Sequence, residues 1–340
     1  MEYPHPRQPG LSSPVKAPLH SHLNWRRILL CIWLLFSPGL LAATPDPEVL
    51  VVTSGSEQIY KQVIAAFANT LRTNCKQSRH LCTESSYKVL ALDRVNETEL
   101  HSQARRGWRL IVTVGHHAAN KISDLHPTAP VLYSLIPHNI YRETLSANRT
   151  SEISAIFVDQ PVYRRLSLLK EAMPKRTRVG VLTSRFSQDT KKEIARLAGN
   201  YGLKPKFVTL EAEEQLGSVL KRLLDQSDVL LAIPDPLIFN RNTVRNVLLS
   251  SYHHRTPVVG FSAAYVKAGA IVAVYSTPDQ IGRQIGEAVA TFLENHSNRL
   301  PPPAYPKYFS VACNQNVSNS LQINLPTSEQ LEMRLRELSK

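Results

Sequence analysis

From about residue 49 onward the apolar positions alternate between two rhythms. Short runs rich in Val, Leu and Ile at 49–53, 87–92, 110–114, 130–135, 154–158, 178–184, 206–210, 229–233, 257–261 and 270–275 read as strands, many of them apolar on both faces, as parallel strands are. Between them, apolar residues recur at helical spacing through 57–71, 97–105, 118–125, 188–201, 216–226, 237–254 and 277–294, with a final helix over 328–338. Strand followed by helix, repeated, predicts an α/β chain whose sheets are mostly parallel and doubly wound. The stretch 228–293 shows the pattern most clearly. Val229-Leu230-Leu231-Ala232-Ile233 stops at Pro234-Asp235-Pro236, a helix follows, and Pro257-Val258-Val259-Gly260-Phe261 is the next strand. Thr277 with Pro278 then makes a helix start. Ligands of open parallel sheets bind beyond the carboxyl ends of the strands, so Pro234-Asp235 and Phe261-Ser262 are the first places to look.

The first 43 residues do not fit this pattern. Arg26-Arg27 precede the apolar run 28–41, and Ala42-Ala43 offer small residues for cleavage, which together read as a signal peptide and leader. Export to the periplasm follows as an expectation. Removal of 43 residues from 340 leaves about 297, enough for two domains of ordinary size.

Charge narrows the classes of partner. The whole chain carries +13; the leader holds four Lys/Arg and one acid, so 36 basic against 26 acidic side chains remain, a net of +10. The basic residues are scattered in pairs such as Arg105-Arg106, Arg164-Arg165, Lys175-Arg176 and Lys191-Lys192, without interleaved aromatics for base stacking, so they read as solvated helix faces and not as a nucleic-acid surface. Three cysteines follow the leader. Cys75 and Cys82 bracket a short polar loop, which in an oxidising compartment suits a local disulfide; a metal site using His80 is the other reading. Cys313 stays unpaired as a small apolar residue.

Several segments carry a resemblance. Pro234-Asp235-Pro236-Leu237-Ile238-Phe239-Asn240, Pro257 to Ser262, Val266-Lys267-Ala268-Gly269-Ala270 and Gly282-Arg283-Gln284 resemble the uncharacterised ABC-transporter substrate-binding-protein family, as do Leu168 to Pro174 with Arg178 to Leu182. The resemblance implies a type I periplasmic-binding fold: two Rossmann-like lobes, a hinge of crossing strands and a small ligand in the cleft. The lobes are expected over 44–153 plus 264–303 (N-terminal) and 154–263 plus 304–340 (C-terminal). The strand ends then offer Ser54, Ser56, His116, His117, His138, Ser184, Asp235, Asn240, Phe261 and Ser262 to the cleft, with Pro137 and Arg185 beside them. Hydroxyls and loop amides suit a carboxylate, Asp235 an ammonium, and Phe261 or Tyr133 an apolar body, so a small polar organic molecule, amino-acid-like among the choices, is the expected ligand. The expected partner is a membrane permease, or a membrane sensor if ligand is reported without transport. The protein is expected to act as a monomer, without cofactor or metal.

The enzyme readings are weaker. Gly260-Phe261-Ser262-Ala263-Ala264 half-matches a nucleophile elbow, but an elbow needs a long helix directly after the serine. Here Gly269 and another predicted strand follow within a few residues. The tandem His116-His117 sits at a strand end and reads as a loop pair, one ring toward the cleft and one toward solvent. A metal site would need a third ligand and ligand spacing that adjacent residues do not provide. Phosphate-loop and dinucleotide glycine motifs are absent.

Overall fold

The computed structural model describes residues 47–74, 84–145, 151–294 and 299–338. The leader, Cys75 and Cys82 lie outside the described residues.

Two sheets organise the chain. The first contains β1 (Val49–Thr53), β2 (Tyr87–Ala91), β3 (Leu110–Val114), β4 (Val131–Ile136) and β5 (Ile153–Phe157) in the order β2-β1-β3-β4-β5, all parallel. β1 and β3 are buried along their whole length. Their alternate residues point to opposite faces, and each face has its own apolar core.

The second sheet contains β6 (Arg178–Thr183), β7 (Lys204–Thr209), β8 (Val229–Leu231), β9 (Val258–Gly260), β10 (Val272–Tyr275) and β11 (Ser310–Cys313) in the order β11-β10-β9-β8-β6-β7. All pairs are parallel except β10 with β11. The two edges are β7, with Lys204, Pro205 and Lys206 along it, and the short antiparallel β11. Both are features that discourage edge-to-edge pairing.

Strand and helix positions follow the hydrophobic pattern closely, with four informative departures. The predicted helix over 237–254 begins only at Val244, because 237–243 are tied into turns by Asp235, Asn240 and Thr243. The predicted turn after Ser262 is a short helix, Ala263–Ala268. β5, expected in the second lobe, is the edge strand of the first sheet. β10, expected in the first lobe, lies in the second sheet, so residues 264–303 give the first lobe only the helix Pro278–Glu294.

That helix crosses back and lies along the helix Gln58–Asn74. Gly282 and Gly286 sit at the contact: a Cβ on Gly282 would stand 2.2 Å from Val63 O, and one on Gly286 2.9 Å from Phe67 O. Only glycine permits that approach, which lets Ile281, Ile285, Val289 and Phe292 close the core over β1 and β3. Each such side chain, fully buried, is worth about 1.5–3 kcal/mol.

Among the described residues the chain passes between the sheets at 158–161, 276–277 and 299–309. Along the third passage Ala304 joins the edge of β5: Ala304 N–H donates to Ala155 O at 2.8 Å and Phe157 N–H to Ala304 O at 3.0 Å.

Candidate functional site

The carboxyl ends of both sheets face one cleft of about 770 Å³. From the first sheet come His116 after β3, Pro137-His138 after β4, and Asp159-Gln160 after β5. From the second come Pro234-Asp235 after β8 and Phe261 after β9. The helix Gln188–Leu197 adds Asp189, Lys192, Glu193 and Arg196, and the third passage adds Tyr305. Contacts among the described residues cross the opening. Arg142 pairs with Asp189, and Asn139 Nδ2 donates to Phe186 O at 3.4 Å.

Four of the predicted site residues therefore meet in the cleft: His116, His138, Asp235 and Phe261. His138 is half-buried, its ring 4.8 Å from Phe157 and 5.4 Å from Tyr305, centroid to centroid. Burial pulls its imidazole below the ordinary value, with Asp159 opposing. Burial also lifts the Tyr305 phenol to about 12. Phe261 packs 4.3 Å from Tyr265 and 6.0 Å from Phe239, making an aromatic wall on the second-sheet side.

Asp235 lines the cleft but its carboxylate is occupied from within. It is 3% exposed and accepts from Ser184 N–H at 3.0 Å, Ser184 Oγ at 2.8 Å, Ser187 Oγ at 2.6 Å and Leu237 N–H at 3.0 Å. Such a carboxylate holds the β6 and β8 loops together and has little capacity left for the ammonium group suggested for it. Ser184 is consumed in the same network and lies beneath the cleft wall, fully buried.

The other predicted residues are fold residues. Ser54 Oγ accepts from Ala118 N–H at 2.9 Å, capping the helix His116–Asp124, and Ser56 binds Asp93 at the surface. His116 and His117 open that helix and are not a loop pair; His116 lines the cleft, with Asn120 3.1 Å from its Nε2, and His117 is exposed away from it. Asn240 donates to Glu213 and to Pro236 O. Ser262 caps the helix Ala263–Ala268 from an extended conformation, without the strained turn that an elbow requires. Arg185 stacks over Phe186 at 4.7 Å, and Tyr133 is buried in the first lobe's core beside Tyr141. Cys313 is free and half-buried. Among the described residues no cluster of three or more His, Cys, Asp or Glu could hold a metal ion, and no helix is long and apolar enough to cross a membrane.

Arg164 and Arg165 correct the reading of the basic pairs as solvated. They are 5% and 3% exposed. Arg164 Nη1 donates to Gln160 Oε1 at 2.7 Å and Pro306 O at 2.9 Å, with its guanidinium 4.2 Å over Phe309. Arg165 turns instead to the cleft, beside Asp159. Burial pushes the Asp159 carboxyl above its ordinary range, while the His138 N–H that donates to it at 2.6 Å and the Arg165 charge pull the other way. Asp159, Gln160, Arg165, Phe186 and Tyr305 were absent from the sequence-derived set. The strand-end rule applied to β5 would have found the first two.

Residues 98–334 match the family described as ABC transporter substrate binding protein, which is most of the chain. No curated protein matches. Solved structures with the same fold include a domain in complex with L-Trp from Streptococcus pneumonia (16% identity, 84% of this chain and 98% of that one, TM-score 0.58). Another is a conserved domain protein from Vibrio cholerae (17%, 84% and 98%, TM-score 0.57). A third is the ligand-free, open form of a substrate binding protein with adhesive properties from Clostridium difficile (16%, 83% and 96%, TM-score 0.65). These neighbours have the type I periplasmic-binding fold, as the two sheets of this chain do.

Proposed function

This chain belongs to the ABC transporter substrate binding protein family, and we propose that it is an exported, monomeric protein that captures a small polar organic solute by closing its two lobes, and delivers it to an ABC-type permease. The observation that carries the reading is the cleft: about 770 Å³, at the carboxyl ends of two sheets joined by three passages, and lined from both sides. That volume suits a ligand of metabolite size. The passages are few, and two of them, 158–161 and 276–277, are short, so rotation of one sheet against the other needs dihedral changes at a handful of element ends. The Arg26-Arg27 and 28–41 pattern of the leader supports export to the periplasm. His116, His138 and Phe261 are the ligand contacts proposed from the original set; Asp235 and Ser184 support the cleft wall.

A thermal-shift screen of residues 44–340 against amino acids, nucleosides, sugars, polyamines and small organic acids tests it. Binding to the native state alone stabilises by about 2.7 kcal/mol at a hundredfold excess over Kd, a rise of a few degrees for a chain of this size. A hit that His138→Ala or Phe261→Ala weakens is the expected result. A folded sample with no hit across the panel contradicts the reading.

A further inference from the structure

Arg165 is a buried cation whose guanidinium is left without the partners that burial normally demands. It stands in the first turn of the helix Val162–Ala172, on the same face as Val162 and Leu169, which carries it inward. It is 3% exposed, its Nη2 is buried with no hydrogen-bond partner, and its side chain makes no hydrogen bond among the described residues. Its neighbour Arg164, at the same depth, leaves only Nε unpaired: Nη1 donates to Gln160 Oε1 and Pro306 O and Nη2 to the Tyr163 hydroxyl, so of the two it is the side chain lining the cleft that lacks hydrogen-bond partners. The nearby carboxyl of Asp159 supplies attraction, but Asp159 is already bound to the His138 N–H. Desolvating a guanidinium is costly unless charge and hydrogen bonds offset it.

The start of the same helix adds to the positive character of this spot. It has no side-chain cap and no acid in its first turn, and Val162 at its first position lines the cleft. Uncapped N–H groups and the helix dipole favour a negative charge there. Elsewhere in the same cleft, Phe186, Phe261 and Tyr305 provide apolar and aromatic surface, which fits an acid attached to an organic body better than a bare inorganic ion.

We propose that Arg165 is the anchor for a carboxylate of the solute, so that the ligands of this cleft are small organic acids carrying an apolar or aromatic body. A guanidinium fork accepts a carboxylate through two parallel N–H···O contacts, which neutral solutes cannot reproduce. The proposal rests on the cleft being the capture site. It also implies that Arg165 is retained for binding at the expense of the ligand-free fold.

The test pairs acids with their amides: thermal shift and titration calorimetry of the full exported chain with phenylacetate and phenylacetamide, succinate and succinamide, and inorganic phosphate. Expected is stabilisation by at least one of the acids and not by its amide. Arg165→Gln should weaken that binding roughly tenfold to a hundredfold, with Arg165→Lys intermediate. In the absence of ligand, Arg165→Gln and Arg165→Met should melt no lower than the parent, a result that a merely structural arginine would not give. Equal binding of acid and amide, undiminished binding by Arg165→Gln, or unfolding of both variants overturns the assignment. Phosphate binding without acid binding reassigns the anchor to phosphate and overturns the carboxylate class. Stabilisation by uncharged solutes alone, sugars or nucleosides, overturns the Arg165 role but leaves solute capture standing. No stabilisation by any solute, charged or neutral, defeats both.

Discussion

Gln160 Nε2 donates to Ser276 Oγ at 2.8 Å, and Ser276 Oγ donates in turn to Tyr308 O at 2.6 Å. One residue from each of the three passages between the sheets is thereby joined in a single chain of hydrogen bonds. Arg164 completes it by bridging Gln160 and Pro306 O. A hinge must bend, yet its strands must keep their relative order; a short polar relay inside the hinge does this, because it fixes the strands to one another and leaves their ends free to rotate. Gln160→Ala breaks the relay at its centre and leaves buried partners unsatisfied. A loss of about 1–3 kcal/mol is expected, read as a fall of a few degrees in Tm. A broader distribution of lobe orientations in solution should accompany it.

Asp235→Ala is expected to behave as a folding mutation. Four donor groups, from Ser184, Ser187 and Leu237, lose their acceptor at a position 3% exposed. On the order of 3 kcal/mol should be lost in urea unfolding. Any weakening of ligand should scale with that loss, whereas Phe261→Ala should weaken ligand at near-parental stability.

The crossing of the two long helices depends on the absence of a side chain at Gly282 and Gly286. Gly286→Ala places a methyl against Thr70 Cβ at 2.7 Å and Phe67 O at 2.9 Å, so the helix must shift off the core. A cost of about 1–3 kcal/mol is expected from overpacking, outweighing the gain in helix propensity. Chemical denaturation of the variant beside Gly199→Ala, where nothing stands within 4 Å, checks this.

His138 predicts a pH dependence with a definite sign. Its folded value lies below 6.5 because of burial, against opposition from Asp159 and Glu193, with Arg142 adding to the depression. Between that lowered value and 6.5 the unfolded chain binds a proton that the folded chain does not. Stability therefore rises with pH through this window and is lost as pH falls below 6.5. His138→Phe should flatten that part of the profile, measured as urea midpoints at pH 7.5 and 5.5.

The fold was legible because most of its strands are buried on both faces and end at Pro, Gly, Ser or Asp, a signal that periodicity detects well. The predicted helix 328–338 and strand 110–114 coincide with those observed. The cleft was legible in position, from strand ends, but only partly in composition. Ser54, Ser262 and Asn240 stand where ligand contacts would be expected, yet short polar side chains at strand ends and helix starts serve the backbone first, and caps and cleft residues look alike in sequence. Asp235 shows the same limit: a carboxylate between two prolines at a strand end gives no sign of the serines that consume it. Arg165 was readable in principle. Its place three residues after Val162 and four before Leu169 puts it on the apolar face of its helix, and a charge on such a face is the feature to pursue.

Closure of the lobes on ligand is tested most directly by small-angle scattering of the chain from residue 44, free and saturated with the tightest solute from the screen. The radius of gyration should contract on binding. His138→Ala with Phe261→Ala should abolish the contraction by abolishing binding, and Gln160→Ala should begin from a larger value. A solute that binds with no change in the radius of gyration, and whose affinity the two cleft substitutions leave untouched, would contradict capture between the lobes.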